Sequence, residues 1–378
     1  MPAAVGRVLD QVLADRVDRA RTLNPLFADD VAERVARFSQ GGHRTRSQLL
    51  WWALRACGGN DRASVVAGLR VGAALELLQT CALVHDDVMD DSALRRGRSA
   101  LHADVCAQYA GAAAPARLEP FGKASAILAG DLALAWADDL MAETTLEPEV
   151  ARRVRPMWSD MRTEMVAGQY LDIHGQAMAS HSLPHALSTA CLKSARYSVE
   201  RPLALGAALA RTDETTMRAL RSAGHCVGMA FQLRDDLNDI FGDSRQTGKP
   251  VGGDIREGKP TYLIALARAR AEASGDRHTL AILEHSLGRS DLSEADLDKV
   301  RDVLVATGAR AMAEARIGRL VAQGLHHLDS ALLDPEGGRR LRHVLNSAAP
   351  GGACHDHRRP DAAVPVAPLA SAAEGACR

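Results

Sequence analysis

From about residue 5 to residue 345 one pattern repeats along the chain. Apolar residues recur at three- and four-residue spacing, as in VGAALELLQTCALVHDDV (71–88) and RALRSAGHCVGMAFQLRDDL (218–237). This spacing predicts amphipathic and buried helices; strand-like alternation is sustained nowhere. Helix ends are predicted at Gly41-Gly42, at Gly58-Gly59-Asn60, from Ala112 to Pro120, from Ser182 to Pro184, and along the Gly-rich stretch from Gly242 to Gly258. After Ser347 the periodicity stops and Pro, Gly and Ala dominate. The reading is an all-α domain over residues 1–346 and a disordered C-terminal tail over 347–378.

Composition narrows the classes. The chain has 378 residues, 47% of them hydrophobic, with enough length for a large core and few helix breakers: 31 Gly and 15 Pro. A formal net charge of -1 argues against a globally basic nucleic-acid binder. Seven cysteines, an odd number with no CxxC pair, read as reduced thiols of a cytoplasmic protein. The N-terminus is charged and amphipathic, unlike a signal peptide. No stretch approaches eighteen uncharged apolar residues, so no transmembrane segment is expected.

One acidic pattern occurs twice, each time closing an apolar run. The first copy is Asp86-Asp87-Val88-Met89-Asp90, followed by Asp91; the second is Asp235-Asp236-Leu237-Asn238-Asp239. On a helix, i and i+4 share a face and i+1 lies about 100° round, so each copy sets two or three carboxylates along one edge. Such an edge repels itself, and apolar flanks raise the cost by burying charge. Mg²⁺ suits it, because it takes one or two carboxylates, keeps several waters and completes its shell with phosphate oxygens. Basic residues follow each copy: Arg95, Arg96 and Arg98 after the first, Lys249 and Lys259 after the second. Gly-flanked cations of this kind can close over a diphosphate, Lys as a point charge and Arg as a fork. His85, just before the first copy, reads as a helix end; Trp51 and Trp52 read as core, and Met161 and Met165 as helix packing.

Together, GGHRTR, HDDVMDDSALRRGR, LAGD, GQYLD, KSARYSVERPL, FQLRDDLND and GKPVGGDIREGKPT resemble the trans-polyprenyl synthetase family, in the family's order from Gly41 to about Ala265. The likeness is strongest to the actinobacterial geranylgeranyl diphosphate synthases. The resemblance implies an orthogonal bundle of antiparallel helices around a central cavity, the isoprenoid synthase fold, usually as a homodimer with the two aspartate-rich helices facing each other. It implies condensation of isopentenyl diphosphate with an allylic diphosphate. Position by position, it assigns Asp86, Asp87, Asp90 and Asp235, and more weakly Asp236 and Asp239, to three Mg²⁺ ions, with Mn²⁺ as a substitute. Arg95, Lys193, Lys249 and Lys259 match allylic diphosphate ligands, and Gln232 a position beside the second cluster. His43, Arg46 and Arg96 match the isopentenyl diphosphate site; Gln169, Asp172 and Ser194 match positions near the reacting carbons.

The chain departs from the family at His43, where lysine is usual. Losing a cation there weakens diphosphate binding by on the order of 1–3 kcal/mol. Three readings follow: a protonated His43, compensation by Arg44 and Arg46, or a terpene cyclase acting on the allylic diphosphate alone. A non-catalytic partner subunit is a further alternative, against which both aspartate clusters are intact. Cys81 and Ala82, one turn before Asp86, are small, and Leu77 and Leu78 lie a turn lower. With roughly 5 Å per isoprene, close to one helical turn, the expected stop is near twenty carbons.

Overall fold

The computed structural model describes residues 2–242 and 251–348. Lys249 and the expected tail from residue 349 onward lie outside the described residues. Helices run in the order α1 (Pro2–Leu23), α2 (Pro25–Phe27), a π turn (Ala28–Ala32), α3 (Glu33–Phe38), α4 (Thr45–Ala56) and α5 (Arg62–Met89). A hairpin of β1 (Leu94–Arg95) and β2 (Arg98–Ser99) leads to α6 (Leu101–Gln108), α7 (Pro115–Glu143), α8 (Pro148–Ala177) and α9 (Leu183–Thr189). After a π-helical segment (Ala190–Glu200) come α10 (Arg201–Leu209), α11 (Glu214–Phe241), α12 (Gly253–Arg256), α13 (Tyr262–Ser274), α14 (Arg277–Ser286), α15 (Glu294–Ala306), α16 (Ala309–Asp329) and α17 (Pro335–Ala348). Contacts divide the chain into two compact units. One comprises Met1–Thr163, Ser198–Arg221 and Leu328–Val344; the other comprises Glu164–Tyr197, Ser222–His327 and the chain from Leu345.

In the first unit α1 buries Val5, Leu9, Leu13 and Val17, a four-residue stripe that fixes its inward face. Helix α5 starts where Asp61 accepts hydrogen bonds from the Ser64 amide (2.9 Å) and hydroxyl (2.6 Å), satisfying a donor the helix leaves open. Glycine sets how closely its neighbours pack. A Cβ on Gly130 of α7 would lie 2.2 Å from Nε2 of His85 on α5, and one on Gly206 of α10 would lie 2.2 Å from the Leu50 carbonyl of α4. Helix α5 is long and apolar enough to cross a membrane, yet 61% of its most apolar window is buried within the protein, as in a core helix.

Three local expectations are corrected. Helix α7 begins at Pro115, inside the predicted break, because proline at the first helical position loses no bonded amide. A two-residue-per-strand hairpin exists where no strand was expected; strands this short carry no periodicity. Its turn residues Arg96 and Gly97 have φ of 54° and 72°, the left-handed pair a two-residue hairpin loop requires. Trp51 and Trp52 are half-buried rather than core, with the guanidinium groups of Arg55 and Arg340 each 5.9 Å from a ring centre.

In the second unit side-chain caps start the helices: Ser182 for α9, Thr261 for α13, Asp276 for α14 and Ser293 for α15. Two glycines bring α8 and α11 against the π-helical segment. A Cβ on Gly168 would lie 2.4 Å from the Lys193 amide nitrogen, and one on Gly228 2.7 Å from Cα of Ala195. The backbone carrying Lys193 and Ser194 is thereby wedged between two helices.

Candidate active site

The first aspartate cluster occupies the last turn of α5. Asp87 is fully buried; Asp86 and Asp90 are half-buried, and Asp90 caps the helix C-terminus. Eight residues on, the hairpin returns Arg95 to this turn. Its Nε donates to Asp87 (2.6 Å) and its Nη2 to Asp86 (2.9 Å), a fork bridging two carboxylates. Burial pushes the Asp87 carboxyl up to about 6, Arg95 works against this, and Asp86 and Asp90 add repulsion. Oδ2 of Asp87 is buried without a hydrogen-bond partner among the described residues. His85 does not end the helix: its Nε2 lies 3.1 Å from the Ile127 carbonyl and 3.6 Å from Asp131, against α7.

The Gly41-Gly42 turn lies in the same unit, with φ of 89° and 74°, followed by Arg44 at φ 50°. A Cβ on Gly42 would sit 2.9 Å from the Arg96 guanidinium, so the glycine at this position gives Arg96 room to lie against the turn. Arg46 donates to the Ser198 hydroxyl at 2.6 Å. Burial lowers the pKa of Arg96, Glu76 opposes this, and the crowding charges of Arg95, Arg46 and Arg44 lower it further. His43 is exposed, and its carbonyl accepts from Nε2 of Gln48 at 2.7 Å.

The second cluster does not present one acidic edge. Asp235 is exposed, Asp236 is buried and Asp239 is half-buried. Ser194 donates its hydroxyl to Oε1 of Gln232, whose Nε2 donates to Asp236 at 2.7 Å. Burial drives the Asp236 carboxyl well above the usual range, and Asp254, Asp235 and Asp172 add repulsion. Asp239 faces the chain instead: its Oδ2 accepts from the Asp254 amide (3.0 Å) and its carbonyl from the Gly252 amide (2.6 Å), anchoring the turn before α12. Lys193 pairs with Asp172, and Lys259 lies 2.6 Å from Glu257 and 3.9 Å from Asp254.

Asp172, Lys193, Ser194, Gln232, Asp236 and Lys259 line one cavity of about 110 Å³. Gln169 is not in its lining; it is half-buried on α8 beside Gly168. Asp254 is in the lining, and sequence reasoning did not single it out. Burial, then Asp239, pushes its carboxyl up to about 7, while Lys259 pulls it down. Its signal was its place in GGDIREGKP, between the glycines and Lys259.

Among the described residues no three His, Cys, Asp or Glu side chains form a closed metal cage. What exists are crowded, desolvated carboxylates with basic side chains at their edges. That donor set suits a hard cation which keeps waters and takes phosphate oxygens.

Comparison with known proteins places this arrangement. A family model described as Polyprenyl synthetase matches residues 31–304. The chain is 32% identical over 265 residues to the geranylgeranyl diphosphate synthase of Mycobacterium tuberculosis, covering 70% of this chain and 69% of that one. It is 34% identical over 275 residues to the farnesyl diphosphate synthase of Geobacillus stearothermophilus, covering 70% and 84%. Among solved structures, the geranylgeranyl pyrophosphate synthase from Corynebacterium glutamicum, complexed with isoprenyl diphosphate and magnesium, aligns with a TM-score of 0.85 at 36% identity, over 92% of this chain and 98% of that one.

Proposed function

The chain belongs to the polyprenyl synthetase family and has its all-α isoprenoid synthase fold, and on that premise we propose that this prenyltransferase condenses isopentenyl diphosphate with an allylic diphosphate. The proposed product is geranylgeranyl diphosphate, and the working form a Mg²⁺-dependent homodimer. The observation that carries the reading is the cavity where Lys193, Lys259, Ser194 and Gln232 meet the buried carboxylates Asp172, Asp236 and Asp254.

Asp86, Asp87, Asp90 and Asp235 are the proposed metal-holding residues, with Asp236 and Asp239 in weaker roles. The Oδ2 of Asp87, without a hydrogen-bond partner among the described residues, and the mutual repulsion of its neighbours support a cation there. A bound divalent ion supplies positive charge against which the diphosphate leaves C1. Arg95 turns its fork from Asp86 and Asp87 toward phosphate oxygens, and Lys193 and Lys259 neutralise charge as the C1–O bond breaks. The hydroxyl oxygen of Ser194, donating its proton to Gln232, keeps its lone pairs for the allylic cation. The isopentenyl double bond attacks C1, and the lost proton goes to the departing pyrophosphate. Cys81 and Ala82 leave room one turn before Asp86, and the buried Leu77 and Leu78 set the stop near twenty carbons.

The test is incubation with Mg²⁺ and farnesyl diphosphate, with and without isopentenyl diphosphate, and product analysis before and after phosphatase. A longer prenyl alcohol that needs both isopentenyl diphosphate and phosphatase supports the reading. A hydrocarbon formed without isopentenyl diphosphate makes the protein a cyclase.

A further inference from the structure

The first unit holds a cleft of about 390 Å³ between the end of α3, the Gly41-Gly42 turn and the hairpin. Five arginines line it, Arg34, Arg37, Arg95, Arg96 and Arg98, against one carboxylate, Asp104. That carboxylate is committed: Nη1 of Arg34 pairs with it, and Nη2 of Arg34 donates to Gln108. Arg34 is 4% exposed, and its Nε has no hydrogen-bond partner among the described residues. The only carboxylate within ion-pair range of Arg37 among the described residues is Glu33 at 3.9 Å, on a guanidinium that is 59% exposed. Arg98 is exposed and makes no ion pair among the described residues. His43 is absent from the lining although its neighbours Gly41 and Gly42 are in it.

Arg95 is held by Asp86 and Asp87, and Arg34 by Asp104. Arg37, Arg96 and Arg98 repel one another, and an anion of several charges makes their proximity favourable. Arginine forks take phosphate oxygens two at a time, and a diphosphate offers enough oxygens for several. Of the three residues that the resemblance matches to the isopentenyl diphosphate site, Arg96 lines the cleft beside Gly42, whereas His43 and Arg46 do not, Arg46 donating to Ser198 instead; Arg96 is what connects the anion of this cleft to isopentenyl diphosphate.

We infer that Arg37 and Arg98, with the buried Arg34 behind them, complete the isopentenyl diphosphate seat and supply the cationic charge that His43 does not bring to it. The inference rests on the Proposed function for the identity of the anion. It also explains how a chain with histidine at this position keeps a condensing site: charge comes from α3 and β2, outside the Gly-Gly motif. Both arginines are exposed, so their removal leaves the core intact.

The experiment compares wild type with an R37A/R98A double variant and with R37K/R98K. The alanine variant is expected to raise KM for isopentenyl diphosphate about tenfold, equivalent to about 1.4 kcal/mol, while KM for the allylic diphosphate and the melting temperature stay put. The lysine variant should recover part of the loss. An unchanged isopentenyl diphosphate KM in an active R37A/R98A enzyme overturns the inference. A wild type that condenses nothing overturns the Proposed function instead. Calorimetric titration with isopentenyl diphosphate then decides the inference separately: about tenfold weaker binding by R37A/R98A supports it, equal binding overturns it.

Discussion

Gly168→Ala tests whether the helix packing around Lys193 sets the reaction geometry. The added Cβ would lie 2.4 Å from the Lys193 amide nitrogen, 2.7 Å from its Cα and 2.8 Å from the Leu192 carbonyl carbon, all backbone atoms. Ordinary contact begins at 3.4 Å, so α8 and the π-helical segment must part by about 1 Å. Overpacking of this kind costs roughly 1–3 kcal/mol. A 1 Å displacement of groups that position a substrate can cost about a hundredfold in rate. The expectation is kcat/KM for the allylic diphosphate lowered by roughly tenfold to a hundredfold, together with a lower melting temperature. Gly318→Ala on α16 is the matched control: its Cβ meets nothing within 4 Å, so helix propensity alone should stabilise the protein by about 0.5–1 kcal/mol with kinetics unchanged. Steady-state kinetics and thermal melts of both variants decide it. A Gly168→Ala enzyme with wild-type kcat/KM would show that the close approach of α8 to Lys193 is irrelevant to turnover.

Asp87→Asn should lower kcat by at least about a hundredfold while making the metal-free protein more stable at pH 7–8. The folded-state pKa is raised to about 6, so the wild type loses stability as pH rises from the unfolded value through 6. The gain should be on the order of 2 kcal/mol after screening and should vanish near pH 4; melts at both pH values check it, and a larger gain at pH 4 refutes it. If the product is the proposed twenty-carbon chain, Ala82→Phe should shorten it toward fifteen carbons, read by chromatography of the dephosphorylated alcohols; an unchanged length refutes the proposed placement of the chain stop. Burial pushes the Cys57 thiol up to about 11, so folding stability should fall as pH rises from 9 to 11. Melts over this range should fall less steeply for Cys57→Ala than for wild type, and parallel slopes refute the assignment.

What the sequence determined is what depends on residues near one another along the chain. The three- and four-residue spacing made the helices legible, because burying one face of a helix needs only that period. Gly41-Gly42 and the two aspartate clusters were visible as local patterns, and the mutual repulsion of clustered carboxylates follows from their spacing along the chain. Local reading faltered where a signal is short or two-sided. The hairpin that returns Arg95 to Asp87 has two residues per strand, and the start of α7 looked like a loop because proline is written alike at a helix start and in a turn. Only the tertiary structure decided where equivalent residues diverge. It buried Asp236 under Gln232 and turned Asp239 back to hold the Gly252 and Asp254 amides, although both stand in one motif with the exposed Asp235. It also brought Asp254 into the cavity of Lys193, and Arg98 into the cleft of Gly42. Burial and charge proximity arise between segments far apart in sequence, and no local pattern encodes them.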